Sequence, residues 1–150
     1  MEIKHVDSIL VLGTSLRTNL ANMLENVGSK AEVLMQRVAE LGVNPTGAQV
    51  WEYKGCDGDV EKEFDLLISI PVDRKADDGN GFTFTELAPI KCASMIHKGA
   101  WSELGTSYCV LMKELEQQNL VFTGTSREIY LNCDFENPQN CITEIQVEIT

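Results

Sequence analysis

The strand-like run Arg127-Glu128-Ile129-Tyr130 holds the residues best suited to chemistry. Side chains alternate across a strand, so Glu128 and Tyr130 point one way while Arg127 and Ile129 point the other. An internal repeat brings partners to that face. Pro45-Thr46-Gly47 overlays Phe122-Thr123-Gly124, and Tyr53 then falls on Tyr130, Trp51 on Glu128, Cys56 on Cys133 and Asp57 on Asp134. The overlay predicts a pseudo-symmetric cluster of Trp51, Tyr53, Glu128 and Tyr130, which Trp101 and Tyr108 join from a following helix. One carboxylate among aromatic rings is a cation site: the carboxylate supplies the counter-charge, and each ring face adds about 0.5–2 kcal/mol depending on desolvation. A strand glutamate is ordinarily solvated and alternating tyrosines ordinarily fill core, so periodicity alone leaves both readings open. No metal chemistry is expected, since His5 and His97 are isolated and the five cysteines show no C-x-x-C spacing. His97, at the end of a strand, reads as a packing or capping residue.

The elements that must position these residues follow from the same repeat. Each half reads strand, helix, strand, strand, over about 1–72 and 82–150, with a polar connector at 73–81 expected to be flexible. In the first half, Ile9-Leu10-Val11-Leu12 is a buried-strand run. Leu20, Met23, Leu24, Val27, Ala31, Leu34, Val38 and Leu41 form a helical stripe that either kinks at Gly28 or begins again at Ser29, where Ser29 and Glu32 are spaced as a capping box, with Gly42 as the stop. In the second half, Ile90 to Ile96 opens, Trp101, Leu104, Tyr108, Leu111 and Leu115 mark a helix, and a short strand at Phe82 to Thr85 precedes them. By parity Phe64, Leu66, Ile68 and Ile70 face the helices, as do Ile145, Val147 and Ile149. Glu144, Gln146 and Glu148 are assigned to water. The expected fold is α+β: duplicated units in a mainly antiparallel sheet, two helices on one face, and a ligand groove between the halves, within a single domain spanning 1–150.

Composition narrows the partners. The chain of 150 residues carries 12 Lys and Arg against 23 Asp and Glu, a net charge of −11, which argues against direct nucleic-acid binding. No secretory h-region and no membrane-length apolar run are present, so a cytoplasmic location is expected. No organic cofactor motif is found.

Three stretches carry a resemblance: Ile96-His97-Lys98-Gly99-Ala100-Trp101, then Arg127-Glu128-Ile129-Tyr130-Leu131, and finally Asn137-Pro138 with Ile142-Thr143-Glu144-Ile145. Together they resemble the GyrI-like small-molecule-binding family, which includes the effector-binding domains of AraC-type regulators and the BmrR drug-binding domain. The second half carries the motifs; the first matches through length, element order and the repeat. The resemblance implies a duplicated fold with a groove, a bacterial origin, and a pocket glutamate for cationic ligands that falls on Glu128. It is closest in kind to stand-alone cationic-drug-binding members, one of them carried on an integron cassette. Where the family has proline and tyrosine after its histidine and glycine, this chain has Ala100 and Trp101, which changes the shape of the expected groove.

Three functions are then open. The first is a sensor or sequestering protein for cationic aromatic molecules, with no helix-turn-helix segment of its own, so that any regulatory action needs a transcription regulator as partner. The second is a hydrolase of strained cyclopropane-containing natural products, with Glu128 and Tyr130 as the catalytic pair. The third is an inhibitor that interacts with DNA gyrase, for which the sequence offers no contiguous acidic stripe.

Overall fold

The computed structural model describes residues 1–76 and 81–150. It is an α+β fold whose strands are β1 (Glu2–Val6), β2 (Ile9–Thr18), β3 (Val50–Lys54), β4 (Phe64–Pro71), β5 (Thr83–Leu87), β6 (Ile90–Lys98), β7 (Phe122–Asn132) and β8 (Ile142–Ile149). The helices are α1 (Met23–Val27), α2 (Lys30–Leu41) and α3 (Leu104–Gln117), with a 3-10 turn at Trp101–Glu103 leading into α3. All eight strands form one antiparallel sheet in the order β1-β6-β8-β7-β3-β4-β2-β5.

The register explains the central cluster. Trp51 and Glu128 are direct cross-strand partners in the β3–β7 pair, as well as counterparts under the sequence overlay. The halves are therefore related by a local two-fold passing between these two residues. In keeping with it, Trp51 pairs with Ile68 on β4 as Glu128 pairs with Ile145 on β8. Ile68, Trp51, Glu128, Ile145 and Met95 thus form one row across five strands, on the face that bears the helices.

Two cores flank this row. On one side Leu34, Val38 and Val27 pack against Leu12, Phe64, Leu66, Ile68 and Ile70. On the other, Leu111 and Leu115 of α3 pack against Ala93, Ile145, Val147 and Ile149. Each fully buried Leu or Val contributes about 1.5–3 kcal/mol. With α2 seated on β2 and β4 and α3 on β6, the central β3–β7 pair lies between the two helices. That is the groove.

The edges depart from simple repetition. β1 precedes β2 in the chain but pairs with β6, and β5 precedes β6 but pairs with β2, so each half lends its first strand to the other's edge. Only Asp7-Ser8 and Ala88-Pro89 make these connections, and two linking residues span at most about 11 Å. The sheet must therefore curl until its ends meet on the side away from the helices. Val11, Val50 and Leu87, with Ile9, Leu67 and Ile129, close a third apolar cluster there.

Curling corrects one sequence-level assignment. Gln146 is buried rather than solvated, and Glu144 is half-buried, accepting from Ser94 Oγ (2.8 Å) and Gln146 Nε2 (2.9 Å) and paired with Lys4 Nζ at 2.6 Å. Of the two readings of the helical stripe the structure shows the restart: Gly28 ends α1 at positive φ and α2 begins after Ser29, but the Ser29 side chain makes no capping bond, so the capping box does not form. Gly42 does end α2 in the left-handed conformation. At the connector, Asp73 accepts from Asn44 N (2.9 Å) and Nδ2 (3.0 Å), and Arg74 donates to the Gly42 carbonyl, so its first residues are anchored. Residues 77–80 lie outside the described residues.

Candidate functional site

Glu128 sits at the floor of the groove, with 6% of its surface exposed. All three tyrosines of the chain converge on it. Tyr108, from the first half of α3, donates to Oε2 at 2.6 Å; Tyr130 and Tyr53 donate to Oε1 at 2.7 and 3.1 Å. The oxygens of Tyr53 and Tyr130 are 3.3 Å apart. Strand parity puts Tyr53, Trp51 and Tyr130 on the same face, and the helical period turns Tyr108 toward them. The sequence thus encodes the convergence twice, at period two on β3 and β7 and at period 3.6 on α3.

The indoles complete the walls. Trp51 meets the Tyr130 ring edge-on at a centroid distance of 5.2 Å, and Trp101 does so at 6.2 Å, both with interplanar angles of 85°. Trp51 Nε1 donates to Gln49 Oε1 at 3.0 Å. Trp101 belongs to the 3-10 turn ahead of α3 rather than to the helix itself. All six residues singled out from the sequence are therefore together. A seventh aromatic was missed: Phe135, 80% exposed, whose ring centre is 5.4 Å from that of Trp101. Its signal was a lone aromatic in the polar run Cys-Asp-Phe-Glu-Asn, which no periodicity rule selects.

Electrostatically, the site is a buried anion without a fixed cation. Among the described residues no lysine, arginine or histidine pairs with Glu128. Arg127, next to it in sequence, projects to the opposite face and is taken by Glu52 at 2.8 Å. The tyrosines record this environment. Burial raises the Tyr53, Tyr108 and Tyr130 hydroxyls well above the ordinary phenol value, and the neighbouring Glu128 charge adds to the rise in each.

This has a measurable consequence. Tyrosinate absorbance near 295 nm should stay absent as the folded protein passes the usual phenol pKa of about 10. Raised acid pKa values mean that the neutral form is the one the fold favours. Their contribution to stability is complete below pH about 10 and is lost as pH rises beyond it toward the folded values. The absorbance step should therefore coincide with unfolding followed by circular dichroism; a step near pH 10 in protein that is still folded would show the tyrosines to be solvated.

The family model of the GyrI-like small molecule binding domain matches residues 1–150. The chain belongs to the GyrI-like family. Among curated proteins none matches it. Among solved structures, this GyrI-like domain is similar to the EcmrR C-terminal domain, at 20% identity and TM-score 0.81, covering 99% of this chain and 96% of that one. Against the EcmrR chain of the cryo-EM EcmrR–DNA complex the identity and TM-score are the same, but the domain spans 56% of that chain. It is also similar to SAV2435 bound to tetraphenylphosphonium, at 14% identity and TM-score 0.69, covering 99% and 93% of the two chains. The integron cassette protein VCH_CASS2, from the mobile metagenome of Vibrio cholerae, is similar at 13% identity and TM-score 0.61, covering 99% and 95%. At these identities the likeness is one of fold. Among the described residues no helix is long and apolar enough to cross a membrane.

Proposed function

We propose that this GyrI-like domain binds cationic aromatic small molecules in the groove, as a sensor or sequestering module. Glu128 is the counter-charge, and Trp51, Tyr53, Trp101, Tyr108 and Tyr130 are the walls. We read residues 1–72 and 82–150 as duplicated halves that build the groove jointly. The observation that carries the proposal is a carboxylate 6% exposed, held by three phenol hydroxyls, with no basic side chain paired to it among the described residues.

Phenol donors reduce the cost of burying that charge, but they do not cancel it. An incoming cation does, and at about 4 Å in a medium of effective dielectric near 20 the attraction is about 4 kcal/mol. Aromatic faces around the cation add to it without competing for the carboxylate lone pairs. Phe135, 80% exposed and 5.4 Å from the half-buried Trp101, is the least confined ring beside the site, so this pair is the one expected to shift to admit a bulky ligand. In such a module a bacterial regulator or another protein would read the bound state from outside the domain.

Both tryptophans of the chain belong to the cluster, so intrinsic fluorescence reports on it directly. Titration with a panel of cationic, neutral and anionic aromatics should give saturable quenching with the cations alone. Equal responses to all three classes would remove the charge-selection argument. Turnover of a strained cyclopropane substrate above a no-protein control would move Glu128 and Tyr130 from binding to hydrolysis.

A further inference from the structure

We propose that a second site, on the other flank of α3, is a serine–histidine ester-hydrolysing centre built from Ser107 and His97. Adjacent helical residues point about 100° apart, so Tyr108 faces the groove while Ser107 faces away from it, toward the end of β6. Ser107 Oγ lies 2.7 Å from His97 Nδ1, and His97 Nε2 lies 3.0 Å from the Ala100 carbonyl oxygen. A carbonyl only accepts, so Nε2 carries the proton and Nδ1 accepts from the serine hydroxyl. This is a nucleophile within reach of a base whose tautomer is fixed by a third group, the arrangement that nucleophilic catalysis requires.

The surroundings suit that chemistry. His97 is 6% exposed, which holds the imidazole rigidly, while Ser107 is only half-buried and open to reagents. Both line a cleft of about 400 Å³ together with Ile96, Lys98, Glu103 and Thr106. Gly99, at φ +129°, carries no side chain between the imidazole and Glu103: a β-carbon there would lie 3.9 Å from His97 Nε2 and 3.4 Å from Glu103 Oε2. Glu103, Thr106 and Ser107 all belong to the first turn of α3 and its cap, so the cleft lies beside the positive end of that helix dipole, which favours developing negative charge there.

In the reaction, Ser107 Oγ bonds to the ester carbonyl carbon as its proton passes to His97 Nδ1. The tetrahedral intermediate expels the alkoxide, which takes that proton. Water then adds to the acyl-serine through the same base, releasing the acid and restoring Ser107. The cleft's size and the exposed Ile96 at its wall fit short-chain acyl esters.

The test uses two probes on the intact protein, diisopropyl fluorophosphate and p-nitrophenyl butyrate. Peptide mass spectrometry should find one phosphoryl adduct, on Ser107. His97→Gln should slow both labelling and ester hydrolysis by at least about 100-fold, the usual contribution of a positioned base. Ser107→Ala should abolish both, while Ser102→Ala should leave both unchanged. Labelling of Ser107 no faster than in the urea-unfolded chain would overturn the proposal, a comparison that holds even if His97→Gln does not fold. Ester hydrolysis that persists in Ser107→Ala would overturn it equally.

Discussion

Glu128→Gln is expected to weaken aromatic cations by more than about tenfold, or about 1.4 kcal/mol, while neutral aromatics of similar size bind almost as before. The substitution preserves shape and removes charge. Its amide oxygen still accepts from Tyr53 and Tyr130, which converge on Oε1. At Oε2 the amide nitrogen becomes a donor, and Tyr108 must rotate its hydroxyl to accept. The network therefore survives with one reversed bond, and folding should survive with it. Because the native charge has no basic partner among the described residues, the variant should be as stable as the parent or slightly more so. Affinity for matched cationic and neutral ligands, together with a urea unfolding curve, checks all three expectations. Equal weakening of both ligand classes would make Glu128 a shaping residue only.

The largest effect on stability is expected at Arg127. It is 1% exposed on the curled side of the sheet; Nε donates to Glu52 Oε2 at 2.8 Å and a terminal nitrogen to the Ala88 carbonyl at 2.8 Å. The second bond ties the center of the sheet to the Ala88-Pro89 link through which β5 reaches its edge. Removing one partner of such a pair leaves an uncompensated buried charge, here relieved only by Lys54 at 3.7 Å from Glu52. Arg127→Ala should therefore cost about 3–5 kcal/mol. Replacing both charges together, Arg127→Met with Glu52→Leu, should cost far less and can stabilise, because neither ion is then buried alone. Urea midpoints of the two variants and the parent measure this directly. The double variant should bind cations as the parent does, since Arg127 and Glu128 point to opposite faces. A loss of less than about 1 kcal/mol in Arg127→Ala would mean that the pair is solvated.

The contrast between these two neighbours shows what local sequence pattern conveys. Parity on β3 and β7, the repeat and the α3 stripe put Glu128, Trp51 and the tyrosines on one face, but spacing leaves the inward and the solvated readings of Glu128 open, and the family resemblance chooses between them. Arg127 and Gln146 are not legible, because strand parity says only that they face away from the helices. Whether that side meets water depends on β1 and β5 crossing to each other's half, a relation between residues some seventy to ninety positions apart. β1 itself, Glu-Ile-Lys-His-Val, alternates too weakly to stand out and exists as a strand because β6 offers it an edge. Ser29 and Glu32 have the spacing of a capping box, yet the chain enters α2 directly from Gly28, with Ser29 at φ −96°, ψ 12° rather than in the extended geometry that a cap needs. Phe135 lies in a loop, where no period applies.

Charge selection by the groove is most directly tested with two ions of nearly the same shape and opposite sign. Calorimetric titration with tetraphenylphosphonium and tetraphenylborate holds size and aromatic surface constant, so any difference is electrostatic. Saturable one-to-one binding of the phosphonium, with binding of the borate weaker by at least about a hundredfold, or about 2.7 kcal/mol, is the predicted result. Comparable affinity for both ions, or tighter binding of the borate, would contradict a groove organised around the Glu128 carboxylate.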